Sequence, residues 1–113
     1  MRNLFAAVAA VSLTSLALAA SPFDGQYQGN IHLTSAARAQ TPCPHDTPFN
    51  PKIVDSTFMF HWNQTEVPTK VGPDGSFNAT NGNVNLKGKV VGNSLDGTLT
   101  GPLCIYNVTA KKR

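Results

Sequence analysis

Charge is scarce in this chain. Of 113 residues only 13% are Asp, Glu, Lys or Arg, six acids against nine bases. Three of the nine bases are the terminal Lys111-Lys112-Arg113, so the positive balance reads as a solvated tail and not as a nucleic-acid face. Catalytic signatures are missing too. There is no G-x-S-x-G, no H-E-x-x-H and no phosphate-cradling glycine loop. The carboxylates Asp24, Asp46, Asp55, Glu66, Asp74 and Asp96 are scattered, and the sequence is not expected to be that of an enzyme. Two cysteines and three scattered histidines make no recognised zinc pattern. Met59 and His61 share one strand face, but two soft ligands without a third read as ordinary surface. No metal and no cofactor is expected.

What is present begins with a targeting pattern. Met1-Arg2 precedes an alanine- and leucine-rich run from Leu4 to Leu18, and Ala17-Leu18-Ala19 supplies the small-x-small pattern of a signal-peptidase site. Residues 1–20 therefore read as a signal peptide, cleaved after Ala19 or Ala20. The run is too short for a bilayer span and nothing later resembles one, so no membrane insertion of the mature chain is expected. Residues 21–113 suffice for a single small domain, exported to the periplasm or beyond the cell.

Cys43 and Cys104 are the only cysteines, and in an exported chain they are expected to pair. They lie 61 residues apart, and closing a loop of that length corresponds to about 4 kcal/mol in the chain-entropy model.

The turns carry the fold. Asn81-Gly82 favours a type I′ hairpin loop that sets Phe77 opposite Leu86 and Ala79 opposite Val84. Gly92-Asn93 sets Val90 opposite Leu95, Gly88 opposite Gly97 and Leu86 opposite Leu99. On the other face Lys89 meets Asp96 and Lys87 meets Thr98, as a wet surface would. Gly72-Pro73-Asp74-Gly75 suits a three-residue loop with a glycine bulge, which sets Val71 opposite Phe77. A turn at Asn63-Gln64 pairs Trp62 with Thr65, Phe60 with Val67 and Phe58 with Thr69, on a strand read from Ile53 to Trp62. Gly101-Pro102 fits a type II′ loop, pairing Leu99 with Cys104, Gly97 with Tyr106 and Leu95 with Val108. Five turns agree on one inside face. A further strand, Gln26 to Leu33, turns Tyr27, Gly29, Ile31 and Leu33 to one side. The expectation is an all-β antiparallel meander of about seven or eight strands, closed or nearly closed into a small barrel.

Two places stand out for function. Inside, Gly88 and Gly97 leave room beneath Phe58, Phe60 and Trp62, with Tyr106 beside them. That is either a ring folded over glycines, a sharply curved sheet, or a space for a small apolar ligand. Outside, Leu103 and Ile105 point away from the core on the strand that carries Cys104. Adjacent apolar side chains facing water mean that something covers them. The cover is either the proline-rich loop at 34–51, including Phe49 and tethered through Cys43, or a partner protein that meets Phe49, Leu103 and Ile105 together. His45-Asp46 in that loop reads as solvated turn residues. N-x-[ST] sequons occur at Asn63, Asn78 and Asn107.

"FDGQYQG" at 23–29, "LKGKVVGNSLDGTLTG" and the late "CIYNVTAKK" resemble a group of small exported bacterial β-domains of unknown function. Those chains have a D-G-x-Y/W-x-G start, repeated G-x-V and L-x-G hairpins and a Cys-x-Tyr last strand. The resemblance implies a bacterial envelope location and carries no catalytic residues across. The G-x-Y opening is also similar to lipocalin and avidin barrels. Two functions follow as expectations: a binding module or inhibitor acting through its surface, or a carrier of a small apolar molecule in the barrel interior.

Overall fold

A computed structural model of the chain describes residues 21–37 and 42–113, and the signal peptide read at 1–20 lies outside them. Among the described residues there are nine strands and no helix. They are β1 (Gly25–Ala36), β2 (Asp46–Phe49), β3 (Lys52–Ile53), β4 (Thr57–Trp62), β5 (Thr65–Lys70), β6 (Ser76–Asn81), β7 (Val84–Val91), β8 (Ser94–Thr100) and β9 (Cys104–Lys112). All the ladders are antiparallel.

Period-two patterning decides which side is buried. Phe58, Phe60 and Trp62 alternate with Thr57, Met59 and His61 along β4, and only the first three are buried. Val84, Leu86 and Val90 on β7, Leu95 and Leu99 on β8, and Tyr106, Val108 and Ala110 on β9 line the same interior. The core closes around Tyr27, Ile31, Val67 and Val71.

The hairpins at Asn63-Gln64 and Gly92-Asn93 have the expected register, including Phe60 opposite Val67 and Gly88 opposite Gly97. Two others are displaced. The β6–β7 loop is Gly82-Asn83, so Phe77 meets Gly88 and Ala79 meets Leu86. Asn81 stays in the strand, where its side-chain amide donates to the Glu66 carbonyl at 2.7 Å. In the β8–β9 hairpin Gly101 and Cys104 form the closing pair, with Gly101 N–H donating to the Cys104 carbonyl at 2.9 Å. Pro102 thereby takes the first corner of the turn, where its fixed φ fits, and not the second. Leu99 then faces Tyr106 and Gly97 faces Val108. Each loop has moved by one residue and each register by two, so every side chain keeps its face.

The strand read from Ile53 to Trp62 is interrupted. Asp55 and Ser56 both have positive φ, 54° and 62°, and turn the chain between Val54 and Thr57. The Asp24 carboxylate holds that turn by accepting the N–H groups of Asp55 and Ser56 at 2.7 and 2.9 Å. The stretch at 34–51 is not wholly loop either. β1 continues to Ala36 past a bulge between Leu33 and Ser35, and β2 pairs back on β1 from Gly29↔Phe49 to His32↔Asp46.

Among the described residues no sheet closes into a barrel by hydrogen bonds. Seven strands form one sheet in the order β2-β1-β9-β8-β7-β6, with β3 beside β1, and β4–β5 form a separate pair. Pro68 explains one seam. It lies opposite Met59, a pair turned away from the β4 hydrogen bonds, so its nitrogen points toward β6 and has no proton to give. At the other seam no Cα of β2 comes within 8 Å of β4. Val71 and Phe77 are both buried as expected, but no β5–β6 ladder joins them.

Candidate functional site

The interior is occupied by aromatic rings. Phe49 meets Phe60 and Phe58 edge-on, with centroids 5.8 and 6.3 Å apart. Phe58 meets Phe77 at 5.7 Å, Phe60 stacks on Trp62 at 6.2 Å, and Trp62 meets Tyr106 edge-on at 4.9 Å. Edge-to-face and offset pairs at these distances are the favourable ones. Gly88 and Gly97 are neighbours across β7 and β8, as the turns require. The space above Gly88 belongs to Phe77: a Cβ there would come within 2.7 Å of its Cζ and within 2.7 Å of the Gly97 Cα. Tyr106 is not the ring over the glycines. It stands opposite Leu99, two residues from the expected register, and reaches Trp62.

The outer candidate residues separate. Phe49, expected at the surface with Leu103 and Ile105, is only 5% exposed because β2 turns it into the aromatic core. Leu103 and Ile105 stay in solvent, 54% and 39% exposed. Their backbone is pinned from three sides. Ala37 N–H donates to the Leu103 carbonyl at 2.8 Å, and the Thr34 hydroxyl, at the β1 bulge, donates to the Ile105 carbonyl at 2.9 Å. The Cys43–Cys104 disulfide, as expected, ties the intervening residue to the segment before β2. Such a bond forms and persists in oxidising compartments, which accords with export.

Beside the disulfide a cleft of about 150 Å³ lies between Pro42 and Pro44 on one side and Pro102 and Leu103 on the other, with Trp62 and Tyr106 in its wall. Trp62, at the tip of β4, also borders a cleft toward β2 and another toward the Gly82-Asn83 turn. Tyr106 is buried, and its hydroxyl has no hydrogen-bond partner among the described residues. Burial raises its pKa above the ordinary tyrosine value, because the phenolate would be desolvated. Tyr106 read either as a ring over the glycines or as part of a space for a small apolar ligand, and nothing in sequence marks a hydroxyl that packing leaves alone.

Two exposed histidine–carboxylate pairs lie elsewhere on the surface. Asp46 bonds His32 Nδ1 at 2.7 Å across the β1–β2 ladder, not its neighbour His45, and that bond lowers its pKa. His61 sits 3.5 Å from Glu66 as their register requires. Among the described residues no group of three or more His, Cys, Asp or Glu is placed to hold a metal ion. The sequon asparagines Asn63, Asn78 and Asn107 are all exposed.

Comparison with known proteins returns no matching family model, no matching curated protein and no matching solved structure.

Proposed function

We propose that the chain is an exported binding module or inhibitor that acts by contact through the disulfide end of its β-domain, without catalysis. The observation that carries this reading is the pair Leu103 and Ile105, which stand in solvent on a backbone held by a disulfide and two hydrogen bonds. Apolar side chains on an already rigid segment lose little further freedom on binding, so their burial converts efficiently into affinity. Val54, Met59 and Val91 are also exposed, but none of them adjoins the disulfide as Leu103 and Ile105 do. The two sheets act as an incompletely closed barrel that presents this end, in the periplasm or outside the cell. Carriage of a small apolar ligand in the interior has weaker support, since the rings of Phe49, Phe58, Phe60, Phe77 and Trp62 pack on one another there.

The test compares proteins retained by the immobilised mature domain and by a Leu103→Thr/Ile105→Thr variant. A partner that binds the wild type saturably and 1:1, and loses at least tenfold in affinity for the variant, supports the reading. Equal retention by both removes this surface from consideration.

A further inference from the structure

One edge of β4 is open. The strand forms a ladder only with β5, and toward β3 the pairing stops after one bridge, in which Val54 and Thr57 exchange hydrogen bonds of 2.9 and 3.0 Å. That bridge fixes the direction of the free edge. Backbone groups alternate along a strand, so with Thr57 facing away from β5, the N–H and C=O of Met59 and His61 face away too. The turn at Asn63-Gln64 requires the same, because its closing pair, Trp62 and Thr65, directs its own groups into the β4–β5 ladder. Among the described residues nothing pairs with the Met59 or His61 backbone on that side.

β2 lies across the seam but is poorly equipped to close it. His45 and Pro51 turn their carbonyls to β1, accepting from Leu33 and Tyr27 N–H at 2.9 Å, so Asp46, Pro48 and Asn50 turn theirs toward β4. Pro48 has no proton to donate, and the Asn50 carbonyl already accepts from the Gln26 amide at 3.0 Å. Proline blunts the outer edge of β5 in the same way at Pro68, whereas β4 carries neither proline nor lysine. No Cα of β2 comes within 8 Å of β4. Neighbouring strands sit about 4.8 Å apart, so a strand inserted between two others needs roughly 9–10 Å. The gap holds a cleft of about 190 Å³ between Pro48 and Phe49 on one side and Met59 and His61 on the other, with Phe60 in its wall. Met59, at its rim, is 48% exposed, so the cleft is open to solvent.

We propose that this edge binds an extended peptide segment of a partner protein, which adds to β4 as an antiparallel strand and fills the seam. Two of its residues, two apart, pair with Met59 and His61 and make four backbone hydrogen bonds. The residue between them stands opposite Phe60 and points inward, into the cleft. That cleft exceeds the roughly 150 Å³ that admits one benzene ring, so the inward residue is apolar and up to phenylalanine in size. Main-chain bonds supply the affinity and the inward side chain the selectivity, as in strand addition generally. The seam admits one strand between two walls, so the occupant is an unpaired segment and not the edge of another folded sheet. The proposal invokes neither Leu103 nor Ile105, and it stands or falls separately from the surface proposed above.

The experiment measures amide hydrogen exchange by NMR in the disulfide-intact mature domain, alone and with the end-blocked heptapeptide Thr-Val-Thr-Phe-Thr-Val-Thr. In the free domain the Met59 and His61 amides should exchange at least about tenfold faster than those of Phe58 and Phe60, which bond to β5. At saturation with peptide, Met59 and His61 should become as slow as their neighbours. The same peptide N-methylated at its third and fifth residues, the two that face β4, should bind roughly 25-fold more weakly, at about fivefold for each lost bond. Met59→Pro removes one edge donor without touching the β4–β5 ladder, and should weaken binding of the unmethylated peptide about fivefold. The proposal is overturned if Met59 and His61 are already protected in the free domain, because the chain would then close its own edge. It is equally overturned if the heptapeptide at millimolar concentration leaves both amides unprotected, or if methylation leaves its affinity unchanged.

Discussion

Replacing Gly88 by alanine tests the packing where the register departed from expectation. A Cβ at this position would lie 2.7 Å from the Gly97 Cα and 2.7 Å from Phe77 Cζ, and it would also strike the Asp96 carbonyl. The ring could swing aside, but the other two atoms are backbone of the adjacent strand and can move only with β8. Overpacking of a fitted core costs about 1–3 kcal/mol, and backbone contacts put this case near the upper end, about 3 kcal/mol. For a domain of this size each kcal/mol moves Tm by about 4–8 °C, so the variant should melt roughly 12–24 °C lower. Gly101→Ala is the control, since the nearest atom to its added Cβ is the Cys104 carbonyl at 3.6 Å. It should stay within about 0.5 kcal/mol of wild type, as ordinary surface changes do. Equilibrium urea unfolding followed by Trp62 fluorescence reads both variants. If Gly88→Ala is as stable as Gly101→Ala, the close approach of Gly88 to the β8 backbone at Gly97 is wrong.

Other outcomes follow from the same geometry. Replacing Cys43 and Cys104 together by serine should lower stability by about 4 kcal/mol, measured by urea unfolding against the oxidised wild type. The Asp24 carboxyl titrates below its ordinary value of 3.8 because Ser21 and the N–H groups of Ser56 and Asp55 bond the charged form. Its contribution is therefore complete above pH 3.8 and lost as pH falls through the lower folded value, and Asp24→Ala should flatten an acid-unfolding profile in that range. Tyr27 and Tyr106 titrate above 10.0, chiefly through burial. Their contribution is present below pH 10 and declines as pH rises through the raised folded values, so alkaline unfolding should begin above pH 10 and track tyrosinate absorbance.

The strand faces were legible because period-two patterning constrains parity, and parity survives a loop displaced by one residue. Register was less legible. Gly101-Pro102 and Pro102-Leu103 are both plausible corners, and what separates them is the preference of proline for the first corner. The interruption at Asp55-Ser56 did leave a trace, since Ile53 and Phe58 are both buried although five apart, which an unbroken strand forbids. The anchor of that turn, Asp24, lies 31 residues away from Asp55 and bears no local sign of the role. Phe49 was misplaced because a four-residue strand in a proline-rich stretch has too few positions to display a pattern. Ile105 was legible as exposed because parity keeps it opposite an outward threonine, whereas Leu103, read on that strand, lies in the turn before β9 and is exposed there. The orphan hydroxyl of Tyr106 depends on three-dimensional packing and had no signal in the sequence.

The central claim is that Leu103 and Ile105 form a free surface, uncovered by the rest of the chain. Its most direct test is the unfolding free energy of the Leu103→Thr/Ile105→Thr variant. Side chains already in solvent should leave it within about 0.5 kcal/mol of wild type. A loss of several kcal/mol, the size expected for two buried aliphatic side chains, would place them beneath an intramolecular cover and contradict the surface itself.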